Sequence, residues 1–265
     1  MVDGRVGEPY DAVGWPVMSD DGAVVAAWCR RGEEQYCVVN GRRGPTFRHV
    51  GNPVVSASGS RIAYAADDAE GASVVVDEER GDRFRWVGNV VMSRDGRHVA
   101  YSAEDEEFRA FAVVDGVAGP RYDRISPPAF GPDGLVAYGA RRGGAWFVVA
   151  GGREEPALGE VVSVFGHGKT MGYVLEAGVG RAVVVGAMRG KTYDWIGSPC
   201  FDLKGRGVYF AARDRTKVLV AGDREIELGE WVVWDPVVEG TQVAFGARIG
   251  PELWRKVVSL NGYDR

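Results

Sequence analysis

A single stretch of fourteen residues, Ile125 to Tyr138 (ISPPAFGPDGLVAY), constrains this chain more than any other, because the chain rewrites it seven times. Within it Pro127 to Phe130 reads as a short apolar strand and Leu135 to Tyr138 as the returning strand. Between them Pro132-Asp133-Gly134 supplies the turn, with glycine at a position that needs a positive φ. The same unit begins at residues 13, 50, 87, 125, 161, 196 and 231, spaced by 37, 37, 38, 36, 35 and 35 residues. A repeat of this period filling a chain of 265 residues predicts one domain, 1-265, built as a closed array of supersecondary units.

Each period holds four short strands, here given positions A to D. In the third repeat they are Asn89 to Met92, His98 to Ser102, Phe108 to Asp115 and Pro120 to Arg124. Runs such as Val74-Val75-Val76, apolar on both faces, suit sheets sandwiched between neighbours. The seventh repeat supplies A, B and C before the chain nearly ends. Residues 5 to 12, in contrast, resemble a D strand with nothing before it, since Met1 to Val13 repeats the pattern of Val113 to Ile125. The two incomplete ends complement each other. The expectation is an all-β, seven-bladed β-propeller of four-stranded antiparallel sheets, its ring closed by the N-terminal strand.

Other classes are disfavoured by composition. The 39 glycines fall in turns between strands and form no linker. No apolar run reaches membrane-spanning length and the N-terminus carries no signal-peptide pattern, so a cytoplasmic chain without a membrane partner, monomeric in isolation, is expected. Cys29, Cys37 and Cys200 lie on apolar strands and read as reduced, buried thiols.

Arranged this way, the Pro-Asp-Gly turn and the Val136-Ala137-Tyr138 strand, approximated at Ser19 to Gly22 and Ser93 to Gly96, resemble the WD-repeat-like propellers of the TolB type and of prolyl oligopeptidase-type enzymes. The resemblance covers nearly the whole chain. It implies binding and gating roles and transfers no catalytic residue to a numbered position.

In such a fold the D to A and B to C connections share one face, where ligands usually bind. The last D position reads Ala12, His49, Trp86, Arg124, Glu160, Trp195 and Glu230, and the third A position reads Trp15, Asn52, Asn89, Pro127, Ser163, Ser198 and Val233. Trp15, Trp86 and Trp195 are flat surfaces for a sugar, a base or a partner side chain, unless they wedge between blades. Catalytic candidates are few. Glu160 and Glu230, with His49 or Arg124, form an acid and base pair only if the register brings them together. His49, His98 and His167 scatter over three blades, which predicts no metal site, and the Gly139 to Gly144 turn precedes no helix, which predicts no phosphate loop. No cofactor is implied.

Net charge is −5, yet the B to C loops differ in sign. Asp67, Asp68, Glu70 and Glu104 to Glu107 are acidic; Arg30, Arg31, Arg141, Arg142, Arg213, Arg215 and Arg248 are basic. Such a split face orients a partner. The reading favoured by these residues is a non-enzymatic interaction or scaffold module that holds a protein or ribonucleoprotein. The alternative is a small-ligand, sugar-type binding propeller, or a lyase or hydrolase acting at the channel mouth.

Overall fold

The computed structural model describes residues 8–93, 95–131, 133–167, 170–228, 231–232, 236–240, 242–249 and 251–260, among which there is no helix. The strands form seven antiparallel sheets. Two compact units are distinguished, residues 1–130 with 140–143, and residues 131–139 with 144–265.

In the first unit, the first sheet comprises Ala12–Val13 and Val17–Met18 at position A, then Val25–Arg31, Glu34–Val39 and Arg42–Phe47. The second repeats this with His49–Val50 and Val54–Val55, Ile62–Asp68, Gly71–Val76 and Glu79–Arg80. The third has Trp86–Met92, Val99–Glu104, Ala110–Val114 and Val117–Ala118. Position A is broken in two in the first, second and sixth sheets, where Gly14, Gly51 and Gly197 follow its first pair of residues. In the third sheet the strand runs on, but its register shifts between Gly88 and Val91, the bulged form of the same irregularity.

The second unit repeats the pattern. Its fifth sheet runs Val161–His167, Thr170–Ala177, Gly180–Val185 and Met188–Tyr193. The sixth runs Trp195–Ile196 with Cys200–Phe201, Gly207–Arg213, Thr216–Ala221 and Arg224–Leu228. The seventh has Trp231–Val232 with Val237–Glu239, Gln242–Ile249 and Glu252–Ser259.

The A to B turn is a hydrogen-bonded module. Ser19 Oγ donates to Asp21 Oδ1 at 2.6 Å and accepts the N–H of Val24 at 3.0 Å, while Gly22 at φ 70° donates its N–H to the Ser19 carbonyl at 2.9 Å. Ser93, Asp95, Gly96 and His98 repeat these bonds, and in the sixth sheet Asp202 alone accepts from Lys204 and Arg206. Side chain and backbone together thus fix the hairpin that the Asp-Gly signature foretells. Pro132 lies outside the described residues.

In the first six sheets the centres of strands B and C are buried on both faces. In the first unit Phe84 packs edge-on against Tyr101 and Phe111, with Val74, Val87, Val99 and Val113 around them. In the second, Phe165 stacks on Phe201 beside Val174, Val183 and Tyr209. Each such side chain contributes about 1.5–3 kcal/mol by leaving water. Cys29 and Cys37 are buried free thiols and Cys200 is a half-buried one.

One expectation needs amendment. His49, Trp86, Arg124 and Trp195, read as the last residues of position D, open position A of the following sheet: they face Asp67, Glu104, Arg141 and Ala212 on strand B. A single residue separates Phe47 from His49 and Tyr193 from Trp195, and the isolated bridges of Phe84 and Tyr122 likewise end one residue before Trp86 and Arg124; strand propensity does not say which neighbour a residue pairs with. As for ring closure by residues 5 to 12, the described contacts of the N-terminal stretch are with the first sheet. Glu8 bonds Arg31 and Arg43, Tyr10 packs edge-on against Tyr36, and Ala12–Val13 pairs with Cys29 and Arg30. Residues 1–7 lie outside those described.

Candidate functional site

One register recurs where position A begins. The residue just before it donates its N–H to the strand B carbonyl across from it: Asp11 to Arg30 at 2.9 Å, Arg48 to Asp67 at 3.0 Å, Arg85 to Glu104 at 3.1 Å, Asp123 to Arg141 at 2.8 Å and Asp194 to Ala212 at 2.9 Å. This bond brings the D to A connection alongside the B to C turn. Its side chain comes in two kinds. Asp11, Asp123 and Asp194 accept the turn N–H groups of Gly32, Gly143 and Asp214 at 2.7, 2.8 and 3.0 Å. Arg48 and Arg85 instead pair with the strand B carboxylates Asp67 and Glu104 at 3.2 and 3.0 Å.

The sign of the connection is therefore opposite to that of the strand end beside it. In the first, fourth and sixth sheets, with arginine on strand B, aspartate stands at the connection; in the second and third, with acid on strand B, arginine stands there, while in the fifth Glu160 precedes position A beside Glu176. Charges counted from the B to C turns alone overstate the polarity of the face. Further pairing completes the compensation: Arg80 holds Asp68 at 2.5 Å, Arg83 holds Glu70, and Arg121 holds Asp105 at 3.3 Å. The hydrogen bond from Arg80, aided by its charge, keeps the Asp68 carboxyl below the usual range. The N–H of Arg109 does the same for Asp105.

Between the second and third sheets this arrangement leaves a cleft of ≈ 230 Å³. Gly51, Ala65, Ala66 and Ala72 line it with little side-chain bulk, and Arg48, His49, Asp67, Arg85 and Trp86 give it polar and aromatic walls. The reason is local. In the first sheet the indole of Trp28 lies over Gly14; at the same register in the second sheet stands Ala65, next to Gly51. Trp86 itself folds over Gly88, where any Cβ would meet its ring.

The expected site residues distribute as follows. His49 and Trp86 share the cleft, and His49 Nδ1 lies 3.4 Å from Gln35 Nε2. Trp15 is 83% exposed, Trp86 46% and Trp195 48%, so none wedges into a core. Asn52, Asn89 and Arg30 are exposed. Arg31 reaches Glu8 at 3.4 Å and the Pro9 carbonyl at 2.9 Å. Arg124 and Arg141 are directly opposite each other, and Arg142 lies 4.7 Å over the Tyr122 ring. Glu160 is half-buried, its carbonyl accepting the N–H of Glu176. Glu230 lies outside the described residues, as does Val233. Arg48, Arg85 and Ala65 escaped the sequence reading; the signal for the arginines was that they stand before position A where Asp11, Asp123 and Asp194 stand in other repeats. Among the described residues no group of three His, Cys, Asp or Glu side chains is placed to hold a metal ion.

No family model and no curated protein matches the chain. Solved structures do. Over 97% of this chain it is similar to the whole of the β-propeller domain of the Trilobed protease from Pyrococcus furiosus, described as having an open velcro topology, at TM-score 0.56 and 14% identity. Over 96% it is similar to the acylaminoacyl peptidase of Pyrococcus horikoshii at TM-score 0.52 and 14% identity, spanning 52% of that enzyme. Over 88% it is similar to 90% of virginiamycin B lyase from Staphylococcus aureus at TM-score 0.51 and 10% identity. At such identities the likeness establishes the fold: this is a β-propeller, and its seven sheets fit seven blades. A protease domain and a lyase on one fold show that function must be argued from the site.

Proposed function

We propose that the chain is a binding module, of the WD-repeat-like, TolB-type class, that holds a protein or ribonucleoprotein partner on the face formed by the D to A connections and B to C turns. The observation that carries this reading is the cleft beside Trp86. A large exposed aromatic side chain next to a hollow, ringed by guanidinium and carboxylate groups already paired with each other, is suited to receiving a partner. Catalysis is a poorer fit. The carboxylates and guanidiniums lining the cleft are tied up in ion pairs, so that His49, 3.4 Å from Gln35, has no carboxylate released from an arginine to act with it as an acid and base pair.

Capture from a cell extract, followed by mass spectrometry, tests the reading. The chain with Trp86→Ala should fold and recover less of a stoichiometric partner. Undiminished capture would move the site to the other face of the first unit, where Arg42 and Arg43 lie. A second reading is a propeller that works beside a hydrolase, favoured by the match to the complete propeller domain of a protease. It requires peptidase activity in the captured material and none in the isolated chain.

A further inference from the structure

We infer that the cleft beside Trp86 and the adjoining turn 105–109 receive a basic, extended segment of a partner protein, with an Arg or Lys side chain set over an aromatic face. The inference rests on the reading that this face binds a partner and adds the partner's chemistry. Charge complementarity decides it. Of the seven carboxylates of the second and third sheets at this face, five have a guanidinium each: Asp67 with Arg48, Asp68 with Arg80, Glu70 with Arg83, Glu104 with Arg85, and Asp105 with Arg121. Glu106 and Glu107 remain, both exposed and without an ion pair among the described residues. An anionic segment would have to displace a carboxylate from its arginine and then lie against it. A cationic segment finds two carboxylates that need not be displaced.

The aromatic surface points the same way. Phe108 is 63% exposed between these acids and strand C, and the Arg85 guanidinium lies 3.8 Å from the centre of its ring. One face of Phe108 thus already carries an intramolecular cation–π contact, and the exposed remainder of the ring, like that of Trp86, is open to a second cation. The hollow of ≈ 230 Å³ is below the range of about 300–1,000 Å³ usual for small-molecule sites and is nearer the size of a single side chain.

Fluorescence anisotropy with labelled oligo-arginine, oligo-glutamate and glycine-serine peptides, on the full chain, tests this. Oligo-arginine should bind, weaken with salt, and weaken by about tenfold in Phe108→Gly and in the Glu106→Gln, Glu107→Gln double variant, the factor that one cation–π contact or charge pair supplies. Because Phe108 sits at φ 59°, glycine there relieves the backbone, so Phe108→Gly should melt no lower than the parent while binding less. Oligo-arginine binding that these variants leave unchanged is attraction to the net charge alone and overturns the inference, as does failure of oligo-arginine to bind. Binding of oligo-glutamate that depends on Arg30 and Arg141 overturns it too, yet leaves the face as the partner surface. Loss of both readings would require, in addition, that partner capture ignore Trp86.

Discussion

Gly51 donates its N–H to the carbonyl of Ala65 at 2.8 Å, and Gly14 donates to Trp28 in the same register at 2.9 Å. What differs is the side chain on strand B. The Trp28 indole covers Gly14, while a Cβ built on Gly51 would meet only the Ala65 methyl at 3.5 Å and the backbone behind it. One substitution between repeats thus separates a filled position from a cleft.

Ala65→Trp should therefore close the cleft in a manner the fold already accommodates in its first sheet. The indole has a place over Gly51, so thermal stability should change by no more than about 1–3 kcal/mol, the usual cost of added core volume. Partner capture through His49 and Trp86 should be lost. Circular dichroism melting and capture, measured on the same preparation, check both halves.

Gly88→Ala acts on the opposite wall. The new methyl meets the Trp86 ring, and since that ring is half exposed it can swing outward at modest cost. The expected outcome is a small loss of stability, about 1 kcal/mol, with a red-shifted indole emission and weaker binding. A variant that binds as before with unchanged emission would show that the Trp86 orientation is irrelevant.

These relationships differ in how far they could be read from residues alone. The seven units, the strand positions and the Ser-x-Asp-Gly turns were legible, since Gly22 and Gly96 stand where a positive φ is required and Asp21 and Asp95 beside them supply the acceptor. Which sheet His49 and Trp86 join was not, because the end of one strand and the start of the next are nearly contiguous. Charge was half legible. Asp67 and Glu104 stand out in a turn, but Arg48 and Arg85 lie nineteen residues earlier and are recognised as their partners only once strands A and B are side by side.

Alkaline pH should unfold the protein through its strand B tyrosines. Burial raises Tyr64, Tyr101 and Tyr209 to about 12 from an ordinary value of 10.0. Tyr64 and Tyr209 lodge their hydroxyls near Gly44 and Gly190 of the preceding strand D. Because the folded values lie above the unfolded ones, this stabilisation is complete below pH 10 and is lost as pH rises through about 12. The urea midpoint should fall across that window, and Tyr64→Phe, which removes one titrating group, should make the fall shallower. A midpoint flat to pH 12 would contradict the burial.

The reciprocal charges at the A strand starts predict a swap. Arg48→Asp alone places two carboxylates side by side with Asp67, and Asp67→Arg alone places two guanidiniums together; each should destabilise the second sheet. The double variant recreates the arrangement of the first sheet, where Asp11 accepts the turn N–H of Gly32 and arginine occupies strand B. It should recover most of the loss. Since the Arg48 side chain is 64% exposed and that of Asp67 32%, the coupling should be about 0.2–1 kcal/mol and shrink with salt. A double-mutant cycle from urea unfolding measures it. Additive losses, with no recovery in the double variant, would mean that the choice of Asp or Arg before position A reflects the turns alone and not the pairing across strands A and B.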